Sequence, residues 1–174
     1  MNEAENKCVF LDRDGVINQE LGDYAYRLDH FKIIPGVKEA LQQLKSAGFL
    51  LIVITNQAGI AKNRYTAKEV MACHYHLQKT CGFLVDDLYF SPHHPTVTES
   101  LLRKPDSLMF EKAMAKHKIN AGLSWMVGDS ARDIYPAQKM KLSTIGIGKA
   151  AQANPDYVAQ NLLEAVNIIL KRKN

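Results

Sequence analysis

Two aspartates one residue apart, Asp12 and Asp14, are the side chains best placed to do chemistry in this sequence. They follow a short apolar run, residues 9–11, which is typical of a buried strand. Carboxylates held this close repel each other, so a positive group is expected among them, and a hard divalent cation fits that need. An ordinary acidic turn after a strand gives the same pattern. The pair alone leaves both interpretations open.

Three further segments carry polar side chains that could complete a site. They are Thr55, Asn56 and Gln57 after the apolar run 49–54, the basic pair Arg103 and Lys104, and Asp129 after the run 125–127 with Asp133 four residues later. Each also has an ordinary structural interpretation, such as a threonine that caps a turn or a lysine at a helix entrance. Because parallel strands present their carboxyl ends at one edge of a sheet, the segments could meet there.

Strands and helices alternate along the chain. The apolar runs predict strands at 9–11, 49–54, 84–90, 124–127 and 144–147. Helices are predicted from 35–36 to just before Gly48, from Thr66 to about 81–82 with Glu69 completing a capping box, at 106–117, at 132–140 and near the C-terminus. This alternation predicts an α/β fold with three layers, a Rossmann-like, doubly wound and mostly parallel sheet.

The composition predicts one globular enzyme domain over residues 1–174. The chain is 47% apolar and 23% charged, without a run long enough for a membrane span or an N-terminal signal-peptide pattern. Three scattered cysteines favour a reducing, cytoplasmic compartment over a disulfide framework. The net charge of +4 is mild, and no basic, aromatic groove predicts nucleic-acid binding. We expect a monomer with no membrane partner.

The order of these motifs resembles the haloacid dehalogenase superfamily of phosphohydrolases over nearly the whole chain. The resemblance implies that Asp12 is the nucleophile and forms an aspartyl-phosphate, while Asp14 is the general acid and then the base. Thr55 and the backbone amide of Asn56 would bind the phosphoryl oxygens, and Lys104 would neutralise charge in the transition state.

The same resemblance implies a magnesium site. Asp12, the backbone carbonyl of Asp14 and Asp129 would hold Mg²⁺, an ion that prefers oxygen ligands and keeps several waters. Asp133 would support the metal site or the lysine without binding the metal directly. The intervals between Asp12, Thr55 and Lys104 have no room for a large cap domain, so the chain resembles a capless member. Its specificity would come from two loops, 18–31 and 91–103.

Four strings narrow the resemblance to the D-glycero-D-manno-heptose 1,7-bisphosphate phosphatases, whose nearest relatives are histidinol-phosphate phosphatases. These strings are Asp12-Arg13-Asp14-Gly15, Thr55-Asn56-Gln57-Ala58-Gly59-Ile60-Ala61, Pro92-His93-His94-Pro95 and Arg103-Lys104-Pro105. The family removes the C7 phosphate of a sugar bisphosphate in heptose and lipopolysaccharide biosynthesis. The implied substrate-binding residues are Asn56, Gln57, Arg103 and Lys104. The guanidinium group of Arg103 would bind the phosphate that is not cleaved.

One departure concerns zinc. Members of that family usually carry a zinc loop of a Cys-x-His pair and a Cys-x-Cys pair, but this chain has Ser91, Ser100 and Leu102 where cysteines are expected. His93 alone cannot hold tetrahedral zinc, so no zinc is predicted. The loop must then be more mobile, or ordered by packing of Pro92, Pro95, Val97 and Leu101.

The sequence leaves several alternatives open. The substrate could be histidinol phosphate or a nucleic-acid 3′-phosphate rather than a small phosphorylated sugar, and a non-enzymatic phosphate-binding descendant is a third possibility. A second metal cluster at Cys73, His74, His76 and Cys81 is not predicted, because helical spacing spreads these residues over several faces.

Overall fold

Six parallel strands form one sheet in the computed structural model, which describes residues 6–172. The strands are β1 (Cys8–Leu11), β2 (Leu50–Asn56), β3 (Asp87–Ser91), β4 (Trp125–Gly128), β5 (Ser143–Ile147) and β6 (Tyr157–Ala159). The helices are α1 (Val37–Ser46), α2 (Ala67–Cys81), α3 (Leu108–His117), α4 (Ala131–Lys139) and α5 (Leu162–Lys171). The predicted alternation of strands and helices is confirmed.

The strand order β3-β2-β1-β4-β5-β6 places β1 in the middle of the sheet. The chain builds outward from β1 to β3 on one side, then returns to lay β4 on the other side. Leu11 pairs with Val53 of β2 and with Val127 of β4, so the residues that follow these strands lie side by side. This reversal is where open α/β sheets bind ligands.

Alternate residues of β1 point into two separate cores, as the period of two in a strand requires. Val9 and Leu11 pack on the side of α1, α2 and α5, where Leu41, Leu77 and Val166 are buried. Cys8 and Phe10 face α3 and α4, where Met109, Phe110 and Ala137 are buried. The sheet is therefore covered on both faces, and the predicted three-layer, doubly wound fold is confirmed.

Local signals in the sequence explain the helix ends. Thr66 and Glu69 form the expected capping box at the start of α2, and Gly82 ends that helix with a φ of 85°. A second capping box joins Ser130 and Asp133 at the start of α4. This box fixes the position of Asp133, one of the predicted site residues.

One predicted boundary was wrong, and one strand was missed. The third strand begins at Asp87 rather than at residue 84, because the Asp86 carboxylate accepts the backbone N–H of Leu51 at 2.7 Å and occupies that edge of β2. The sixth strand was not predicted, since β6 has three residues and Val158 within it is 55% exposed. Such a short edge strand leaves no apolar run in the sequence.

No additional folded unit separates the strands that carry the predicted site. Within residues 6–172, one helix and its loops fill the interval from β1 to β2, and one helix fills the interval from β2 to β3. The prediction of a capless molecule is confirmed. Among these residues, no helix has the length and apolar character that crossing a bilayer requires.

Candidate active site

A buried lysine lies between two aspartates just beyond the carboxyl end of β1. The Lys104 ammonium is 2.9 Å from an Asp12 oxygen and 2.5 Å from an Asp133 oxygen. It also donates to the carbonyl of Ile54 at 2.7 Å. Lys104 is only 2% exposed, and burial would lower its pKa, but the two carboxylates raise that pKa above its usual value. The lysine therefore stays charged inside the protein.

The side chain of Asn56 positions this lysine. Its amide nitrogen donates to the backbone carbonyl of Lys104, and its carbonyl accepts the backbone N–H of Lys104, both at 3.0 Å. This reciprocal pair ties the end of β2 to the basic segment 48 residues later in the chain. Asn56 was predicted through its backbone amide, and the structuring role of its side chain was missed.

Three carboxylates cluster around the buried lysine. Asp12, Asp129 and Asp133 have oxygens that all lie within 4.8 Å of one another. Burial and then the nearby Asp133 raise the pKa of Asp12 to about 8, although Lys104 opposes this. Burial and Asp133 likewise raise the pKa of Asp129 to about 6. A cluster of carboxylate oxygens with this unbalanced charge is the donor set that suits a hard divalent cation.

Two glycines let the acidic side chains approach the strand ends. A Cβ on Gly15 would lie 2.1 Å from an Asp129 oxygen, and Gly15 has a φ of 81° that favours glycine. A Cβ on Gly128 would lie 2.3 Å from the Cβ of Asp133. Neither position has room for a larger residue without displacing a carboxylate of the cluster.

Asp14 faces the same space but is held by different partners. Arg13 contacts its carboxylate through Nε at 3.2 Å and Nη2 at 3.0 Å, and the same Nη2 donates to the carbonyl of Ala25. The side-chain amide of Asn18 donates to Asp14 at 2.8 Å. Arg13 and Asn18 are both buried. The sequence prediction did not include Arg13 and Asn18 as site residues. Their positions within four residues of Asp14 were the available signal.

Thr55 and Gln57 belong to a chain of buried hydrogen bonds. The hydroxyl of Tyr65 donates to Gln57 Oε1 at 2.7 Å, and Gln57 Nε2 donates to Thr55 Oγ1 at 2.9 Å. The same Nε2 is 3.4 Å from an Asp14 oxygen. Gln57 is only 1% exposed, and its side-chain amide is hydrogen-bonded to Tyr65 and Thr55. The amide therefore orients these neighbours rather than binding a ligand directly. Tyr65 was missed because it lies eight residues after Gln57 with no motif around it.

These side chains open onto one cavity of ≈ 810 Å³. Its floor contains Asp12, Asp14, Thr55, Lys104 and Asp129, so the structure brings the predicted catalytic and metal-binding residues together. Its wall carries a second set of side chains, which includes Tyr24, His94, Arg103, Arg132 and Lys149. A cavity of this size suits a small organic ligand.

The loop 91–103 is ordered in a different way from the one expected. Val97 and Leu101 are 58% and 67% exposed, so the prediction that they pack the loop was wrong. Hydrogen bonds hold the loop instead. His94 Nδ1 and Thr96 Oγ1 are 2.7 Å apart, and Arg103 Nη1 donates to the carbonyl of His93 at 3.0 Å. At the base of the loop, the backbone N–H of Ala61 donates to the carbonyl of Pro92.

The cysteines of α2 lie in the apolar core. Cys73 and Cys81 are buried and free, as is Cys8, and burial raises the pKa of all three thiols. Among residues 6–172, the group of three potential metal ligands found is the one at Asp12, Asp129 and Asp133. Cys73 donates to the carbonyl of Tyr26, which gives it a structural contact.

Known proteins resemble this chain in sequence and in fold. Residues 12–147 match the haloacid dehalogenase-like hydrolase family model. A D-glycero-beta-D-manno-heptose-1,7-bisphosphate 7-phosphatase of Haemophilus ducreyi is 33% identical over 92% of this chain and 94% of that protein. A D-glycero-D-manno-heptose-1,7-bisphosphate 7-phosphatase of Thermosynechococcus vestitus is 35% identical over 93% of this chain and 94% of that protein.

A solved structure shows the same fold. It is the D,D-heptose 1.7-bisphosphate phosphatase of B. bronchiseptica complexed with magnesium and phosphate, with a TM-score of 0.87 and 24% identity over 95% of this chain and 98% of that one. The family model covers most of the chain, and the curated relatives match it almost end to end. The chain therefore belongs to the haloacid dehalogenase-like hydrolase family, as its motifs predict.

Proposed function

We propose that this protein is a Mg²⁺-dependent phosphatase that removes the C7 phosphate of D-glycero-D-manno-heptose 1,7-bisphosphate through an aspartyl-phosphate. Hydrolysis of a phosphoric monoester, predicted from the sequence, agrees with the family and with the phosphatase names of its relatives. The observation that carries the proposal is the position of Lys104 between Asp12 and Asp133, on the floor of a cavity that Asp14 also lines.

Asp12 is the proposed nucleophile. Its carboxylate attacks phosphorus as the bond to the sugar oxygen breaks, which gives an aspartyl-phosphate and the free alcohol. One Asp12 oxygen accepts hydrogen bonds from the backbone N–H of Arg13 and from the Lys104 ammonium. Those two contacts fix the carboxylate, so that its other oxygen can point to the substrate.

Asp14 is the proposed acid and base. It donates a proton to the departing sugar oxygen and later removes one from the water that hydrolyses the aspartyl-phosphate. Arg13, Asn18 and Gln57 hold its carboxyl group at the floor of the cavity. The two aspartates have different partners, which supports separate tasks for them.

The phosphoryl group carries negative charge that the site must offset. We assign this to Lys104 and to the hydroxyl of Thr55, which Gln57 orients. Asp12, the backbone carbonyl of Asp14 and Asp129 would hold Mg²⁺, which supplies further positive charge beside the phosphoryl oxygens when bound. Asp133 is bound to Lys104 and to the N–H of Ser130, so we assign it to support rather than to the metal.

The choice of a sugar bisphosphate depends on the wall of the cavity and on the relatives. Arg103 lies above the floor with its Nη1 on the His93 carbonyl, which leaves the rest of the guanidinium for a phosphate that is not cleaved. The relatives named above act on heptose 1,7-bisphosphate. Loop 91–103 borders this wall without the cysteines of a zinc loop.

The test is phosphate release by the purified protein with Mg²⁺, on heptose 1,7-bisphosphate, histidinol phosphate and fructose 1,6-bisphosphate. We expect kcat/KM for the heptose to exceed the others by about a hundredfold, or roughly 2.7 kcal/mol of transition-state discrimination. The Asp12→Asn variant is the control, and EDTA should abolish the wild-type rate. Equal weak rates on all three would reject the heptose, and full activity in EDTA would reject the metal role.

A further inference from the structure

Two arginines on the cavity wall, Arg103 and Arg132, differ from three other arginines of the described residues. Arg13, Arg27 and Arg64 each face an aspartate, at 3.0, 2.8 and 3.9 Å respectively. Arg103 and Arg132 form no ion pair with a carboxylate of the described residues, 6–172. Both line the cavity. Their positive charge is therefore available to a ligand.

The two guanidinium groups come from separate elements and line the same cavity. Arg103 ends the loop before α3, while Arg132 is in the first turn of α4. Burial lowers the pKa of Arg103, and the positive charge of Arg132 lowers it further. Like charges brought together in this way favour an anion between or beside them. Lys149 adds a third cation on the same wall.

The backbone of Arg132 is fixed at the start of α4. Its backbone N–H donates to Ser130 Oγ at 3.2 Å, within the capping box that also holds Asp133. The following residue, Asp133, is buried and bound to Lys104. Arg132 is therefore adjacent in the chain to a residue of the buried cluster. Arg132 is exposed and lines the cavity, so its charge belongs to the wall rather than to the buried floor.

We propose that Arg132 is a specificity-determining residue that joins Arg103 in binding the second, uncleaved phosphate of the substrate. This inference rests on the proposed function, and it adds a residue that the motifs do not contain. A phosphate has oxygens enough for two guanidinium forks, and each fork adds charge-assisted hydrogen bonds. Arg132 touches no reacting atom, so it selects bisphosphates over monophosphates without taking part in the chemical step.

The experiment compares Arg132→Gln with the wild type on matched pairs: heptose 1,7-bisphosphate with heptose 7-phosphate, and fructose 1,6-bisphosphate with fructose 6-phosphate. We expect kcat/KM for the bisphosphates to fall by about 10- to 30-fold, mainly through KM, with the monophosphates within about twofold. Lys139→Gln, which removes an exposed charge from the last turn of the same helix, is the control and should change neither pair.

Equal losses on bisphosphate and monophosphate, or no loss on either, would overturn the inference. Failure of the proposed substrate looks different, because the wild type would then show no preference for the heptose over the fructose pair. Binding in an Asp12→Asn background decides the role of Arg132 if turnover is absent. In that background, Arg132→Gln should weaken the binding of fructose 1,6-bisphosphate by about tenfold and leave the binding of fructose 6-phosphate unchanged. If Arg132→Gln left the affinity for fructose 1,6-bisphosphate unchanged, the inference would be rejected.

Discussion

The two ends of the sheet use aspartates in opposite ways. At the carboxyl end, Asp12, Asp129 and Asp133 crowd together around one buried lysine, and burial raises the pKa of Asp12 and Asp129. At the amino end, Asp87 has its own basic partners, with Lys116 Nζ and His117 Nε2 each 2.8 Å away. Burial would raise the pKa of Asp87, but those hydrogen bonds outweigh it and lower the pKa to about 2.

The difference follows from where the helices end. In a parallel α/β fold the helices run against the strands, so α1 and α3 bring Lys45, Lys116 and His117 in their last turns to the amino end of the sheet. Helices begin at the carboxyl end, where an N-terminus offers N–H groups but no cationic side chain by default. The amino end can thus pair its acids for stability. At the carboxyl end, the cluster of Asp12, Asp129 and Asp133 has more negative charge than Lys104 can offset, which suits a metal ion.

Asp12→Asn should give the largest effect on activity. The amide keeps the shape of the side chain but cannot attack phosphorus, so kcat should fall by about 10⁴-fold or more. The circular dichroism spectrum should remain that of the wild type. At the other end of the sheet, Asp87→Asn is the matched change and should keep kcat within about twofold. Measurable turnover near the wild-type rate in Asp12→Asn would remove the proposed nucleophile.

Lys104→Met should give the largest effect on stability. It leaves Asp12 and Asp133 buried without their cation, which costs about 3–5 kcal/mol in the free energy of unfolding. Lys45→Met at the amino end removes a partner of Asp86 from a pair that is 30% and 26% exposed, and should cost about 1 kcal/mol or less. Urea denaturation of both variants measures this. Similar losses would show that the two ends do not differ in how they use their charges.

Asp87→Asn should lower stability in a pH-dependent way. The pKa of Asp87 is about 2 in the folded protein and 3.8 for an unperturbed aspartate, so its stabilisation is present above about pH 5 and is lost as pH falls toward 2. We expect a loss of about 1–2 kcal/mol at pH 7 that shrinks toward zero near pH 2. Glu99→Gln, at an exposed carboxylate, is the control. A difference that does not vary with pH would contradict the pairing.

Tyr65→Phe should give a smaller effect. The change removes the hydroxyl that fixes the Gln57 amide, so Gln57 can turn away from Thr55 and Asp14. We expect kcat to fall about threefold and stability to fall by about 1 kcal/mol. Tyr26→Phe is the control, because the Tyr26 ring stacks on Tyr65 at 4.9 Å without entering this chain of hydrogen bonds. Equal kinetics in the two variants would show that Tyr65 does not orient the site.

The sequence predicted the parts of the molecule that depend on local patterns. The apolar run before Asp12 and the capping box at Thr66 and Glu69 specify their elements without distant partners. The parallel arrangement then requires that residues following β1, β2 and β4 meet. For this reason the sequence could predict that the residues of the cavity floor lie together.

Contacts between distant segments could not be predicted in the same way. Tyr65 reaches Gln57 and Arg132 reaches the cavity wall only because of how their elements pack. Apolar packing was one of two alternatives for the loop 91–103, yet Val97 and Leu101 are exposed, and no motif specifies the hydrogen bonds of His94 with Thr96 and of Arg103 with the His93 carbonyl. The pairing of Asp87 likewise joins residues 30 positions apart.

The most direct test of the contrast is the effect of Mg²⁺ on the free energy of unfolding, measured by urea denaturation. We predict that Mg²⁺ at about ten times its Kd stabilises the wild type by about 1.4 kcal/mol. Asp87→Asn should keep this gain, whereas Asp129→Asn should lose most of it. A wild type that Mg²⁺ does not stabilise, or an Asp129→Asn variant that gains as much as the wild type, would contradict a metal site at the carboxyl end of the sheet.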